Sequence, residues 1–103
     1  MSIRKQFYFP GTSATTATGY SYPLSVSKPN KTVVAYLTAA GGNATVLVYG
    51  SNDGGTNKVL LDTLTLTGAS GVDAYKDTNG YTTLVLNVSS ITSATVAARM
   101  SAQ

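Results

Sequence analysis

The sequence predicts an all-β domain, a compact antiparallel β-sandwich or jelly roll of about eight strands with an extended N-terminal arm. Three observations carry that expectation. Apolar and polar residues alternate with period 2 on both sides of turn-forming clusters, as in half-buried strands. Such runs recur at short intervals, separated by Gly, Asn, Asp or Pro, and no segment carries a helical period. Charged residues make up only 11% of the chain, against 43% hydrophobic ones. Sparse charge with abundant Thr and Val suits pleated sheets and not helix surfaces, which normally carry Glu, Lys and Arg. At 103 residues the chain has the length of one domain with one modest core. Residues 1–23 read as a strand or arm followed by a flexible loop, and residues 24–103 as the sandwich.

Residues 3–9 open the chain with alternating basic and apolar side chains, ending in Phe7-Tyr8-Phe9 before Pro10-Gly11. In a strand Phe7 and Phe9 share a face and Tyr8 points the other way. Either the two phenylalanines cap the core with Tyr8 half exposed, or the segment is an arm that packs on a neighbouring subunit. Residues 11–19, GTSATTATG, are small and polar, have nothing to anchor them, and read as a flexible loop or an extended arm. Tyr20 and Tyr22 lie on one side of an extended segment, because the residue before Pro23 is pushed out of the helical region. Lys28-Pro29-Asn30-Lys31 reads as a turn and residues 32–37, TVVAYL, as a strand.

Residues 39–43, AAGGN, read as a hairpin connection into the clearest stretch of the chain, residues 44–66. There two β-branched runs flank Gly50-Ser51-Asn52-Asp53-Gly54-Gly55, the pattern of an antiparallel hairpin. Gly accepts positive φ without penalty, and Asn and Asp tolerate it and bond their own backbone. Ala44, Val46 and Val48 fall on one side, with Thr45, Leu47 and Tyr49 on the other. On the return run Leu60, Leu64 and Leu66 share a side, while Thr63 and Thr65 point away. A loop at residues 68–71 leads to a short strand near residues 72–75, then to an Asp77-Thr78-Asn79-Gly80 turn. Residues 81–88 alternate with Leu84, Leu86 and Val88 inward, residues 89–93 turn, and residues 94–101 place Val96, Ala98 and Met100 inward with Arg99 outward.

Composition narrows the function. The chain has no Cys, His or Trp, and no Glu is found in it. A His general base, a Cys nucleophile, a Glu acid–base pair and a His- or Cys-ligated metal are therefore excluded. The carboxylates are Asp53, Asp62, Asp73 and Asp77, each in or beside a turn or strand, which points away from an enzyme. Ser51–Gly55 offers one carboxylate, where Ca²⁺ takes about six to eight oxygen ligands. No Lys-Ser/Thr ending or helix follows it, as a phosphate loop requires. Neither a cofactor nor a metal is expected. The net charge of +3 is spread over isolated or paired cations and reads as solubilising charge, not as a nucleic-acid face. Absence of Cys fits assembly in a reducing cytosol. Residues 1–5 run into an aromatic strand and not an apolar signal core, and no run is long enough for a membrane helix. The Asn30-Lys31-Thr32, Asn43-Ala44-Thr45 and Asn87-Val88-Ser89 sequons then read as products of Asn- and Thr-rich β sequence. The seven tyrosines are the remaining feature, since Tyr joins an apolar face to a polar tip and is favoured at interfaces and sugar sites.

The stretch VLVYGSNDGGTNKVLLDTLTLTG, followed by YTTLVLNVSSITSATVAARMSA, resembles a pattern in small virion proteins of tailed bacteriophages. In these a GSNDG hairpin precedes a strand of the type Y-x-x-L-x-x-N-V-x-x-I-x-x-A-x-V. The resemblance covers residues 44–102 and departs after GSNDGG, where Thr56-Asn57-Lys58 replaces an aromatic. It implies a capsid decoration or cement protein on the outer capsid surface, made in the host cytoplasm. Its implied role is non-enzymatic: stapling neighbouring capsomers, with the major capsid protein and further copies of itself, as dimer or trimer, for partners. Nucleic acid and membrane are not expected partners. Contacts are expected at Arg4 and Lys5, facing acidic capsid surface, at Phe7, Tyr8 and Phe9 as apolar anchors, and at Tyr20 and Tyr22. The alternative is a receptor- or glycan-binding tail or fibre domain working through Tyr-rich loops.

Overall fold

The computed structural model describes residues 3–38, 41–68, 71–77 and 80–103. Among the described residues nine strands follow one another: β1 (Ile3–Gln6), β2 (Gly19–Tyr20), β3 (Leu24–Ser25), β4 (Lys31–Leu37), β5 (Asn43–Ser51), β6 (Val59–Thr67), β7 (Val72–Asp77), β8 (Thr83–Thr92) and β9 (Val96–Ala102). All pairings are antiparallel. The chain is doubled on itself. β5 pairs with β6 at the tip, and outward from there β4 pairs with β7, β2 and β3 with β8, and β1 with β9. Wrapping this doubled ribbon adds the β4–β9 and β5–β8 ladders. The result is a first sheet ordered β1-β9-β4-β7 and a second ordered β2-β8-β5-β6, with β3 also on β8. This nested order is a jelly roll, so the expected all-β sandwich is what the chain forms.

The core lies between the sheets. Val33, Ala35, Val96, Ala98 and Met100 of the first sheet meet Ala44, Val46, Val48, Leu64, Leu66, Leu84, Leu86 and Val88 of the second. The alternation of β5, β8 and β9 is as expected, and Arg99 faces out. On the far side of the sandwich Asp73 joins the two edge strands, its Oδ2 accepting the Thr65 N–H of β6 at 3.1 Å. That bond occupies a donor on an edge strand, where unpaired backbone invites aggregation.

The structure differs from expectation at five places. The connection from β4 to β5 is not a hairpin, since β4 pairs with β7 and β9 while β5 pairs with β6 and β8. Two strands that each bury one face against the same core alternate identically whether they lie side by side or across from each other. The crossing chain comes so close to the end of β8 that a Cβ on Gly42 (φ 77°) would collide with the Thr92 and Ser93 carbonyl oxygens. Residues 89–92 do not turn, because β8 continues to Thr92 and the chain bends only at Ser93 (φ 49°). A bulge sets Thr45 opposite Ser90 and Val46 opposite Val88, leaving Ser89 as the extra residue and Ile91 packed on the core. A second bulge sets Val48 opposite Asp62 and Tyr49 opposite Leu60, with Leu61 extra. Leu60 therefore leaves the side it was expected to share with Leu64 and Leu66, and is 53% exposed.

In place of an unanchored loop, residues 11–19 are laid along the sandwich. Thr15 and Val96 exchange backbone bonds of 2.8 and 2.9 Å, and Phe9 and Thr12 exchange bonds of 2.8 and 3.0 Å. The Thr12 and Thr15 hydroxyls each accept the amide N–H two residues on, at 3.1 Å, giving the small polar stretch local turns of its own. Lys31, expected as a solubilising charge, is only 1% exposed, and its Nζ donates to the Lys28 carbonyl at 2.6 Å. The turns expected at residues 39–43, 68–71 and 77–80 fall partly outside the described residues.

Candidate binding surface

The residues expected to make contacts divide between core and surface. Phe7 is fully buried and Phe9 is 3% exposed, both inside this chain's own core. Their rings are consequently closed off from partners, and the Phe7 N–H donates to the Ala98 carbonyl at 3.0 Å. This is the core-capping arrangement, and Tyr8 between them is 56% exposed. Arg4 and Lys5 are exposed on β1, an edge of the first sheet. Tyr22, 56% exposed, donates its backbone N–H to the Tyr8 carbonyl at 2.8 Å, so these two tyrosines sit on adjoining backbone.

Tyr20 belongs to a different group. Its Cα partner on β8 is Asn87, whose partner on β5 is Leu47, whose partner on β6 is Thr63. Directly opposed residues share a face, and the inward positions of this sheet are their neighbours Val46, Leu64, Leu86 and Val88. Tyr20, Asn87, Leu47 and Thr63 thus form one row across the outer face of the second sheet. The next row is Val85, Tyr49 and Leu60. The Tyr20 and Tyr49 ring centroids are 6.1 Å apart with planes tilted by 49°, a geometry favoured between aromatic rings. The bulge at Leu61 is what places Leu60 beside Tyr49.

The 52–58 loop folds back over this face. Gly55 (φ 100°) lies against Pro23 and Val85, so that a Cβ there would be 3.0 Å from Pro23 Cγ and 3.3 Å from Val85 Cγ2. Val85, an outward residue, is accordingly only 2% exposed. Three residues further on, Lys58 holds its Nζ over the Tyr20 ring, 5.2 Å from the centroid, within the range of cation–π attraction. The loop is a wall beside the two rings.

Hydrogen bonds stiffen that wall. Ser51 Oγ donates to Asp53 Oδ1 at 2.6 Å and accepts the N–H groups of Asp53 and Gly55 at 3.2 and 3.0 Å. Asp53 Oδ1 also accepts the Asn57 N–H at 3.0 Å, and Oδ2 accepts Asn57 Nδ2 at 2.6 Å. Asn52 Oδ1 accepts the Thr82 N–H at 3.1 Å, tying the loop to β8's approach. The Ser51 hydroxyl, then the donors of Asn57, hold the Asp53 carboxyl down at about 2. The other described carboxylates also serve backbone: Asp62 Oδ1 accepts the Thr63 N–H at 2.8 Å, and Asp73 accepts those of Ala74 and Thr65. Among the described residues no group of three or more acidic residues could hold a metal ion.

Fold and surface together define a jelly-roll domain with an aromatic platform on one sheet. No family model and no curated protein sequence matches the chain. Among solved structures, SPBc2 prophage-derived protein YomS is similar with a TM-score of 0.69 at 16% identity, over 99% of this chain and 94% of that one. PBSX exported protein XepA is similar with a TM-score of 0.65 at 20% identity over 99% of this chain, which spans 37% of XepA. Chitosan-binding module 1 of a chitosanase/glucanase from Paenibacillus sp. IK-5 is similar with a TM-score of 0.56 at 16% identity, over 100% of this chain and 94% of the module. At these identities the likeness is one of fold.

Proposed function

We propose that the chain is a non-enzymatic structural protein of a phage particle and, within that class, a capsid decoration or cement subunit. The observation that carries the reading is the likeness in fold to the prophage-derived YomS over nearly the whole of both chains. The use of Asp53, Asp62 and Asp73 for backbone hydrogen bonds supports a scaffold over a reaction centre. The subunit sits on the outer capsid surface and bridges neighbouring capsomers, with the major capsid protein and a second or third copy of itself as partners. Several weak contacts per oligomer give a long-lived attachment through avidity. Exposed Arg4, Lys5, Tyr8 and Tyr22 make the contacts along the β1 and β2 edges, whereas Phe7 and Phe9 hold the subunit together.

Particle localisation tests this. Electron microscopy of intact particles is expected to show the chain on the capsid, at a copy number comparable to that of the major capsid protein. Arg4→Glu with Lys5→Glu, and Tyr8→Ala, are expected to lower occupancy while the free protein stays folded. A handful of copies at the tail would overturn the capsid assignment. A second reading, a glycan-binding tail or fibre domain, is favoured by one observation, the exposed Tyr20 packed on half-buried Tyr49 with Lys58 over the Tyr20 ring.

A further inference from the structure

We infer that the outer face of the second sheet is a subsite for an acidic glycan, a pyranose chain bearing a carboxylate or phosphate, bound over Tyr20 and Tyr49 with its charge at Lys58. The inference rests on the glycan reading and narrows it to one surface and one ligand class. Tyr20 is 49% exposed although its ring packs on the half-buried Tyr49, so part of the Tyr20 side chain is open to solvent. Such faces stack on the C–H faces of sugars, while hydroxyl groups of the same sugars need polar partners. The register supplies these on the same face: Asn87 lies in the row of Tyr20, and Thr63 at the end of that row is exposed. Leu60, turned outward by the bulge, extends the apolar floor beside Tyr49.

Lys58 decides the charge of the ligand. It stands on a wall braced by the Asp53 bonds and holds its ammonium over the Tyr20 ring. The Asp53 carboxylate is engaged by Ser51 and Asn57, and the rows that form the platform carry no carboxylate. A cation held against an exposed aromatic side chain attracts a ligand that combines an apolar face with an anionic group. The same charge argues against a second copy as the occupant. A twofold contact through this face would bring Lys58 toward the partner's Lys58 with no carboxylate from either platform between them, in a chain that is already positive.

The test is an NMR titration of the intact chain with three tetrasaccharide probes: neutral chitotetraose, a carboxylate-bearing hyaluronan fragment, and oligomannose capped with mannose 6-phosphate. The acidic probes are expected to shift the amides of Tyr20, Tyr49, Lys58 and Asn87 and to bind about tenfold more tightly than the neutral one. Tyr20→Ala should weaken all binding about tenfold. Lys58→Gln should lower the acidic probes to the neutral level, and Lys58→Arg should restore them. The two acidic arms tell carboxylate from phosphate. Equal affinity for neutral and acidic probes overturns the ligand class and leaves the glycan reading standing. No shift with any probe overturns both. Shifts of the same amides on simple dilution assign the face to self-association and overturn the inference.

Discussion

Phe7, Tyr8 and Phe9 show what a single position can decide. Alternation alone puts the two phenylalanines on one face, but whether that face belongs to this chain or to a neighbour depends on what lies opposite. The answer is β9 and the core, contacts made with residues about ninety positions away in sequence. Phe7→Ala is expected to cost about 3–5 kcal/mol in chemical denaturation, and Tyr8→Ala to stay within about 0.5 kcal/mol. Removal of residues 1–9 would unfold the sandwich, so it is no test of a contact with a partner. Asp53 was legible as a turn residue with Ser51 beside it in the same turn; its second partner was not, because Asn57 lies beyond the apparent turn. Its carboxyl sits at about 2 when folded, against an ordinary value of 3.8. The depressed value means that the stabilisation is fully present above about pH 4 and is lost as pH falls toward 2. Asp53→Asn is therefore expected to destabilise the protein at neutral pH, with the gap to the parent closing in thermal melts as pH falls through that window.

Among the elements, the strands were legible where period 2 persists and illegible where it slips. Both slips are bulges, at Ser89 and at Leu61, and neither has a Gly or Pro to mark it. In VLLD the three consecutive apolar residues fit two registers equally well, and only the ladder with β5 chooses between them. The choice has a measurable consequence. Leu64→Ala is expected to cost about 2–5 kcal/mol, while Leu60→Thr, read from sequence as the same side, should change stability by no more than about 0.5 kcal/mol. The platform was missed for the same reason: Tyr49 and Tyr20 were visible as tyrosines, but their meeting, and the approach of Lys58, depend on the β2–β8 register. The 11–19 segment reads as a loop by composition yet is bonded at Thr15. The Thr15 amide is expected to exchange with solvent far more slowly than those of Thr16 and Thr18, which hydrogen-exchange NMR would resolve.

At the scale of the whole molecule the class of fold was legible and the order of strands was not. Composition and regular turns specify that sheets form; they say nothing of which strand pairs with which. Nested pairing makes nearly every ladder outside β5–β6 a long-range one, and such topologies fold slowly because loop closure precedes the contacts that reward it. Refolding from denaturant is expected on the millisecond-to-second scale, with the β5–β6 hairpin ordered ahead of the β1–β9 ladder.

The outermost rung of that nested ladder sets Ile3 beside Ala102. Where the chain enters the domain and where it leaves are thus neighbours on two hydrogen-bonded strands. A domain built this way is a plug-in unit: it can hang from a surface loop of another protein, or be strung in tandem, without either sheet being disturbed. The same adjacency allows a short linker to close the backbone into a circle. Reopening it at the exposed Thr56–Asn57 bond should give a permutant with both sheets intact.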